Sequence, residues 1–535
     1  MSTTTETVTV TAEAPTVSIH NDQGLCVSGP DSGGVDSSVP LSLAQHDSSS
    51  PPPVSMLKTA TITFQLAGIN FLTSAGNGLI VVGLPAIGAA LNLPASLAFW
   101  PASVSSLATA STLLLAGAVT DALGPRWIEI LGSTICGAAL LAAGGVQTGE
   151  QLVLMRALNG LGMAMHLASS VAITTKTLER GRGRNIAFAC LGLSQPLGFS
   201  FGLVLGGVFV DSIGWRAGWF LYGGATLLLS LLGLWAFPND SDKGTAAQRW
   251  QGMKNDVDWV GTAFASAFMA TLCYLLAILS SDPNVIRRAD AIACLCIAVV
   301  SFGGFLTWMD YRMKRQKAAL IPNALWRNTA FSTTCTAIAL SYAVLTGLEL
   351  FCSLFYQEVQ HLPAFQASIR LLPSLIVGTI LNLLVGLFVH KVPVIWLVTI
   401  SSLLCAVSPL LMALVQPEWT YWANAFVAQL LQPVSGDILF TVGLIIITDV
   451  FPEDTQGLAG AVFNTMGQFG NAVGLAVLQI VSQLVTQQHR NLEAERALLE
   501  GYRASFWTMF GFMLLCGAIG PAGLRKIGKI GLKRD

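Results

Sequence analysis

The chain has 535 residues, 53% of them hydrophobic and 11% charged, with a net charge of −1 and a mean hydropathy of +0.63. A water-soluble globular protein carries about 25% charged residues, so this composition excludes a wholly water-facing surface and points to a polytopic membrane protein. The balanced charge gives no sign of a nucleic-acid partner.

Residues 1–57 are rich in Ser, Thr, Pro and Gly and contain no Lys or Arg. With neither a basic n-region nor an apolar h-region, this segment is not a signal peptide. It reads as a disordered cytoplasmic tail that ends at Pro51-Pro52-Pro53. From Thr61 onward, apolar runs recur at about 20 residues or more, the length a helix needs to cross hydrocarbon. They predict fourteen spans, at roughly 62–90, 97–120, 127–146, 151–175, 185–210, 217–237, 258–280, 289–309, 329–357, 366–389, 393–415, 419–448, 457–485 and 504–524. An even count puts both termini on one side. If that side is cytoplasmic, twenty of the 28 Lys and Arg fall inside, seven fall outside, and Arg156 stays within span 4. That bias follows the positive-inside rule.

Nine of the ten cysteines lie in apolar runs and Cys26 lies in the tail; there is no CxxC, and Cys294 and Cys296 are two apart. This pattern suits neither a disulfide framework nor a metal site. HExxH, GxSxG and Walker signatures are lacking too. A non-enzymatic chain without cofactor or metal is expected, driven by a gradient or by its own cargo.

The loop between spans 2 and 3 reads GAVTDALGPR, residues 117–126. Gly117 has no side chain and would let another helix approach. Asp121 could then meet a helix N-terminus of the opposite half, where free N–H groups favour an anion. The start of span 13, near Thr455 to Gly457, is the expected partner, and Arg126 is expected to pair with an acid in a neighbouring loop. The competing reading is a plain solvated loop. In span 5, Gly198, Gly202 and Gly206 are spaced by four and form one stripe, with Gly207 beside it. Ordinary small-residue packing explains such a stripe, at least in part.

Ionisable groups within spans are candidates for function, because each costs at least about 2.5–3.5 kcal/mol at mid-bilayer. Arg156, His166, Glu349 and Asp437 stand out. Asp437, in QPVSGDILF, falls near the middle of span 12, and Glu349, in TGLELF, in the outer part of span 9. Either carboxylate could take up and release a proton as a cavity changes sides; the alternative is a permanent pair with Arg156 or a backbone partner. Arg156 reads as structural, or as a modulator of one of those carboxylates. His166 is ten residues further on, turned by about 80° and so off the same face. In span 1, Asn77 is a polar group in a glycine-rich segment and could line a cavity.

These motifs resemble those of the major facilitator superfamily. Gly117-x-x-x-Asp121-x-x-Gly124-x-Arg126 is similar to its loop signature, and Arg156-Ala-Leu-Asn-Gly160-Leu-Gly162 to its buried-arginine motif. Gly198-x-x-x-Gly202-x-x-x-Gly206-Gly207 resembles the glycine ladder of proton-coupled exporters. With fourteen spans, WRAGWF at 215–220 and FNTMGQFGNAVGLA at 463–476, the chain resembles the fourteen-span drug:proton antiporters, fungal members in particular, over about residues 62–524.

That resemblance implies an all-helical facilitator fold of 6 + 2 + 6 transmembrane helices. The tail 1–57 would precede a bundle at 58–237, two extra spans at 238–328, a second bundle at 329–524 and a basic cytoplasmic tail at 525–535. It implies that the 117–126 loop latches the two halves and that the span 5 stripe seals the exit path in one state. The implied function is export of small organic molecules in exchange for protons, by a monomer in the plasma membrane or, alternatively, the vacuolar membrane.

Three departures qualify it. Leu203 stands where the exporter motif has proline, the nearest proline being Pro196; Gly76 and Asn77 stand where many antiporters carry an aspartate; and the second-half loop, GLFVHKVP, has His390 in place of the aspartate. Transport of a small polar solute or ion on the same fold remains open. A non-transporting membrane sensor is the reading from another class, and the short basic C-terminal tail argues against it.

Overall fold

In lipid every backbone N–H and C=O must be satisfied within the segment itself, so apolar runs of this length fold as helices. A computed structural model describes residues 56–94, 97, 99–178, 182–238, 257–281, 286–315, 320–321, 323–388 and 391–525. Among the described residues there is no strand. The long helices are α1 (Met56–Ala90), α2 (Trp100–Leu123), α3 (Pro125–Gly144), α4 (Gly149–Thr177), α5 (Arg182–Ser212), α6 (Arg216–Ala236), α7 (Trp259–Ser281) and α8 (Ala289–Lys314). They continue with α9 (Thr329–Leu354, prolonged by a π-turn at Phe355–Val359), α10 (Ala364–Phe388), α11 (Val394–Ala413), α12 (Ala425–Leu431, then Val434–Val450), α13 (Glu453–Gln488) and α14 (Ala494–Gly523). The tail 1–55, the residue His390 and the last ten residues lie outside the described residues.

Thirteen of these helices are long and apolar enough to cross a membrane. The exception is α4, expected as the fourth span, whose 29 residues carry Arg156, Asn159 and His166 and are too polar on average. It packs between α2 and α3 all the same. Several boundaries differ from the expected ones, and two of them have a clear local cause. The last helix begins at Ala494, ten residues before the apolar run, because AERALLEGYR has strong helix formers and an Arg503–Glu500 pair at 2.7 Å. Hydropathy marks only its apolar part. The twelfth helix begins at Ala425 and is interrupted at Gln432-Pro433, where proline removes an N–H donor.

Helices α1 to α6 pack chiefly on one another, as do α9 to α14; α2 with α13 and α5 with α10 join the two sets. Helix α7 lies against both α2 and α13 and covers that seam, with Ser266 Oγ donating to the Ser111 carbonyl at 2.7 Å. Below, the near side is the one on which α1 begins and the far side the one on which it ends. In the second set, Ser341 Oγ lies 2.8 Å from Ser435 Oγ, and Ser402 Oγ donates to Cys516 Sγ at 3.3 Å and lies 3.4 Å from Ser435. One buried polar knot thus ties α9, α11, α12 and α14.

Small residues set the α1–α5 contact. A Cβ on Gly198 would strike the Phe71 backbone, one on Gly202 the Ala75 backbone, and one on Gly206 would sit 2.9 Å from Leu79 Cα. Phe71, Ala75 and Leu79 are themselves spaced by four, so two matching ridges run side by side. Gly207 points elsewhere: its Cβ would lie 2.8 Å from Phe365 Cα of α10. Between α2 and α3, Gly124 has φ +100°, a conformation open to glycine and strained for other residues, and Pro125 then opens α3. We expect Gly202→Ala to cost about 1–3 kcal/mol through overpacking and to lower the thermal unfolding midpoint of the detergent-solubilised protein. Gly192→Ala, whose Cβ meets nothing within 4 Å, should leave the midpoint unchanged. Equal midpoints for all three proteins would refute the close-packed assignment.

Candidate functional site

Between the two helix sets lies a cavity of about 590 Å³, lined by α1, α2, α4 and α5 on one side and by α9, α10, α12 and α13 on the other. A volume of that order suits a drug-sized molecule. Phe188 and Ala189 of α5 and Leu444 and Ile445 of α12 carry the lining toward the near side. On the far side the two sets are held together. Ser353 Oγ donates to the Val81 carbonyl at 2.9 Å and Gln357 Nε2 to the Val82 carbonyl at 3.0 Å. Phe99 stacks on Phe351 with ring centroids 6.1 Å apart. Asp211, at the end of α5, accepts from the first amides of α10, Ala364 N at 3.1 Å and Phe365 N at 2.8 Å. A carboxylate at a helix N-terminus meets free N–H groups and the positive end of the helix dipole.

The polar lining is divided between the helix sets. In the first set, Arg156 is 2% exposed, and its Nε donates to the Pro101 carbonyl at 3.0 Å and its Nη2 to Asn77 Oδ1 at 2.7 Å. The guanidinium also faces the Trp219 ring at 5.7 Å. Asn77 lines the cavity and holds the arginine there. Arg156 has no ion pair with Glu349 or Asp437; they face one cavity from opposite sets. Asp437 sits one turn after the Pro433 interruption, against Gly378 of α10, where a Cβ would collide with its carboxylate. Glu349 is 8% exposed, lines the same cavity, and has no hydrogen-bond partner among the described residues. Beside them stand Asn382, which accepts from Thr441 at 3.2 Å, and Asn471, which accepts from Thr346 at 2.8 Å.

His166 does not line the cavity. It is fully buried on the α3 face of α4, its Nδ1 2.8 Å from Glu129 Oε1, while Ser169 Oγ donates to Glu129 Oε2 at 2.6 Å. The expected angular offset from Arg156 is what turns it toward a different helix. Glu129, equally buried, escaped the sequence reading because it stands only five residues into α3, where a carboxylate looks interfacial. Its apolar flanks in WIEILG were the available signal.

In the 117–126 loop the structure differs from several expectations. A Cβ on Gly117 would meet nothing within 4 Å, and the same holds for Gly457. Asp121 is exposed. Arg126 reaches a carbonyl rather than an acid: its Nη2 donates to Leu234 O at the end of α6, at 2.8 Å. That end of α6 carries unpaired carbonyls, which accept a cation readily.

Comparison with known proteins now bears on what this arrangement is. The profile of the Major Facilitator Superfamily matches residues 66–474, with a second match at 374–526. The chain belongs to the major facilitator superfamily. It is 37% identical over 525 residues to MFS-type transporter 1 of Pyricularia oryzae, covering 89% of this chain and 85% of that protein. A low affinity ammonium transporter of Saccharomyces cerevisiae is 25% identical, with 88% and 89% covered. A multidrug transporter of Aspergillus fumigatus is also 25% identical, with 78% and 70% covered. Among solved structures, a bacterial homolog of the lysosomal transporter Spinster superposes with a TM-score of 0.61 at 16% identity, covering 89% of this chain and 98% of that one. This facilitator is a multi-pass membrane transporter, not an enzyme.

The far-side contacts give a direct prediction. Removing the two side-chain bonds with Ser353→Ala and Gln357→Ala forfeits about 0.5–1.5 kcal/mol each, together roughly five- to 150-fold in the population opened on that side. A cysteine placed at Leu350, deep in the cavity, should then react at least about fivefold faster with an impermeant maleimide applied from the far side. An unchanged rate would show that these bonds do not hold the far side shut.

Proposed function

We propose that this transporter exports small organic molecules by alternating access in exchange for protons, with the near side cytoplasmic and the cell membrane as its site. The observation that carries the proposal is one cavity shared by both helix sets, bonded shut on the far side, extending toward the near side, and furnished with Asp437 and Glu349. A carboxylate facing a cavity that opens alternately to two compartments can load a proton from one and release it to the other. In that cycle Asp437 is the proton-linked group and Glu349 its companion.

The 117–126 loop is a latch between the two sets: the open space around Gly117 and Gly457 leaves room for the α13 start to approach, and Asp121 is the group suited to a helix N-terminus there. The glycine stripe of α5 keeps that helix in register with α1 through the change. The multidrug transporter among the relatives supports organic cargo. The ammonium transporter, similar over nearly its whole length, supports a second reading in which the two carboxylates attract a small cation.

The test uses efflux-deficient yeast producing the wild type or Asp437→Asn, loaded with a panel of fluorescent drugs, with and without a protonophore. Efflux should fall at least tenfold with the protonophore and likewise with the mutation. Loss with the protonophore but not with the mutation would move the proton site away from Asp437. Absence of any dye efflux from a surface-exposed protein would reject broad export and favour the small-cation reading, to be read out as ammonium-dependent currents or growth.

A further inference from the structure

One group in the cavity is not used by proton exchange. Arg156 is 2% exposed and lines the cavity, yet its Nη1 has no hydrogen-bond partner. Its other two nitrogens bond a carbonyl and an amide oxygen, both neutral, so the full positive charge has no anionic partner among the described residues. A desolvated cation without a counter-charge is costly, far more so than one that is paired. The Trp219 ring at 5.7 Å relieves only a small part. The two acids that could neutralise it, Glu349 and Asp437, stand on the opposite helix set across the same space. The cavity as a whole favours neither an organic cation alone, which the guanidinium would repel, nor a simple anion, which the two acids would repel.

From this arrangement we infer that the cargo is amphoteric: an organic molecule with a carboxylate or similar oxyanion at one end, held by Arg156 Nη1, and a protonated amine at the other, held between Asp437 and Glu349. The molecule spans the two helix sets. Its middle lies against the apolar lining of Phe199, Tyr342 and Phe440, the last two stacked with centroids 6.3 Å apart. A guanidinium with one free N–H edge binds an oxyanion directionally, so the oxyanion end of the cargo is the orienting one. Bridging both sets also gives the cargo a reason to favour the closed-around state, since each end is anchored on a different moving body.

The inference rests on the cavity being the cargo site of the proposed exporter. It is tested by binding alone, so that failed proton coupling and failed cargo assignment give different results. The full-length wild type in lipid nanodiscs is titrated calorimetrically with three matched probes: L-phenylalanyl-L-phenylalanine, its C-terminal amide and its N-acetyl derivative. The first carries both charges, the second only the cation, the third only the anion. The zwitterion should bind at least about tenfold more tightly than either singly charged form. Arg156→Gln should erase its advantage over the amide, with Arg156→Lys restoring part of it, and Asp437→Asn should erase its advantage over the N-acetyl form.

An amide that binds the wild type as tightly as the zwitterion would overturn the inference and leave Arg156 a structural group. An N-acetyl form that binds as tightly would overturn the role of the acids. Binding of none of the three by a monodisperse protein would overturn it for cargo of this size. The wild-type comparison needs no variant, so a misfolded Arg156 substitution does not rescue or spoil it.

Discussion

The guanidinium of Arg156 is where four helices meet: α4 supplies it, α1 and α2 accept its hydrogen bonds through Asn77 and Pro101, and α6 closes over it with Trp219. A charge at that depth persists only while its neighbours are held in place, so the position of α1 against α2 and α4 is fixed by it. The α1–α5 contact follows from the same anchorage, because Asn77 lies on the helix whose Phe71, Ala75 and Leu79 receive the α5 glycines. Asn70 and Ser74 add two further bonds to α5, to the Leu191 and Gln195 carbonyls at 3.1 and 2.7 Å. Among the described residues the second set has no such buried cation. Its four-helix junction is three serines and a cysteine, groups with little desolvation cost and a correspondingly weaker demand for one geometry.

The cavity inherits this difference. One wall presents a fixed cation, the other presents two acids, Glu349 on α9 and Asp437 on the interrupted α12. Asp437 owes its place to Pro433: the break exposes a fresh helix start one turn before the carboxylate, and Gly378 opens the space beside it. Polar groups that would be liabilities in a lipid-facing helix are tolerated because they line this cavity between the helix sets.

Much of this was legible from residue order. Apolar run length places nearly every helix, and the spacing by four of Gly198, Gly202 and Gly206 foretells a single contact ridge. Glycine at 124 marks a turn that needs positive φ. What pattern alone left open was partnership. Nothing in the sequence says that Arg126 ends on the Leu234 carbonyl, that Asp211 caps α10 some 150 residues later, or that His166 belongs to Glu129. Such pairs are set by which faces meet after packing, and local periodicity carries no information about the other helix. The start of α14 was misplaced for a different reason: hydropathy records where lipid ends, whereas the helix continues into water on its own propensity.

Adjacent residues Gly206 and Gly207 press on different bodies, the first on α1 and the second on α10. Helix α5 is thereby gripped by its own set along most of its length and touches the other set near its far end, as a lever touches a fulcrum. From Gly207 to Arg182 the arm runs 25 residues, about 38 Å at 1.5 Å per residue. A tilt of about 10° at the fulcrum therefore sweeps the near end through about 7 Å, more than the rise of one helical turn. A contact shift of well under an ångström between two glycines and their neighbours is enough leverage to change the width of the mouth at the other end.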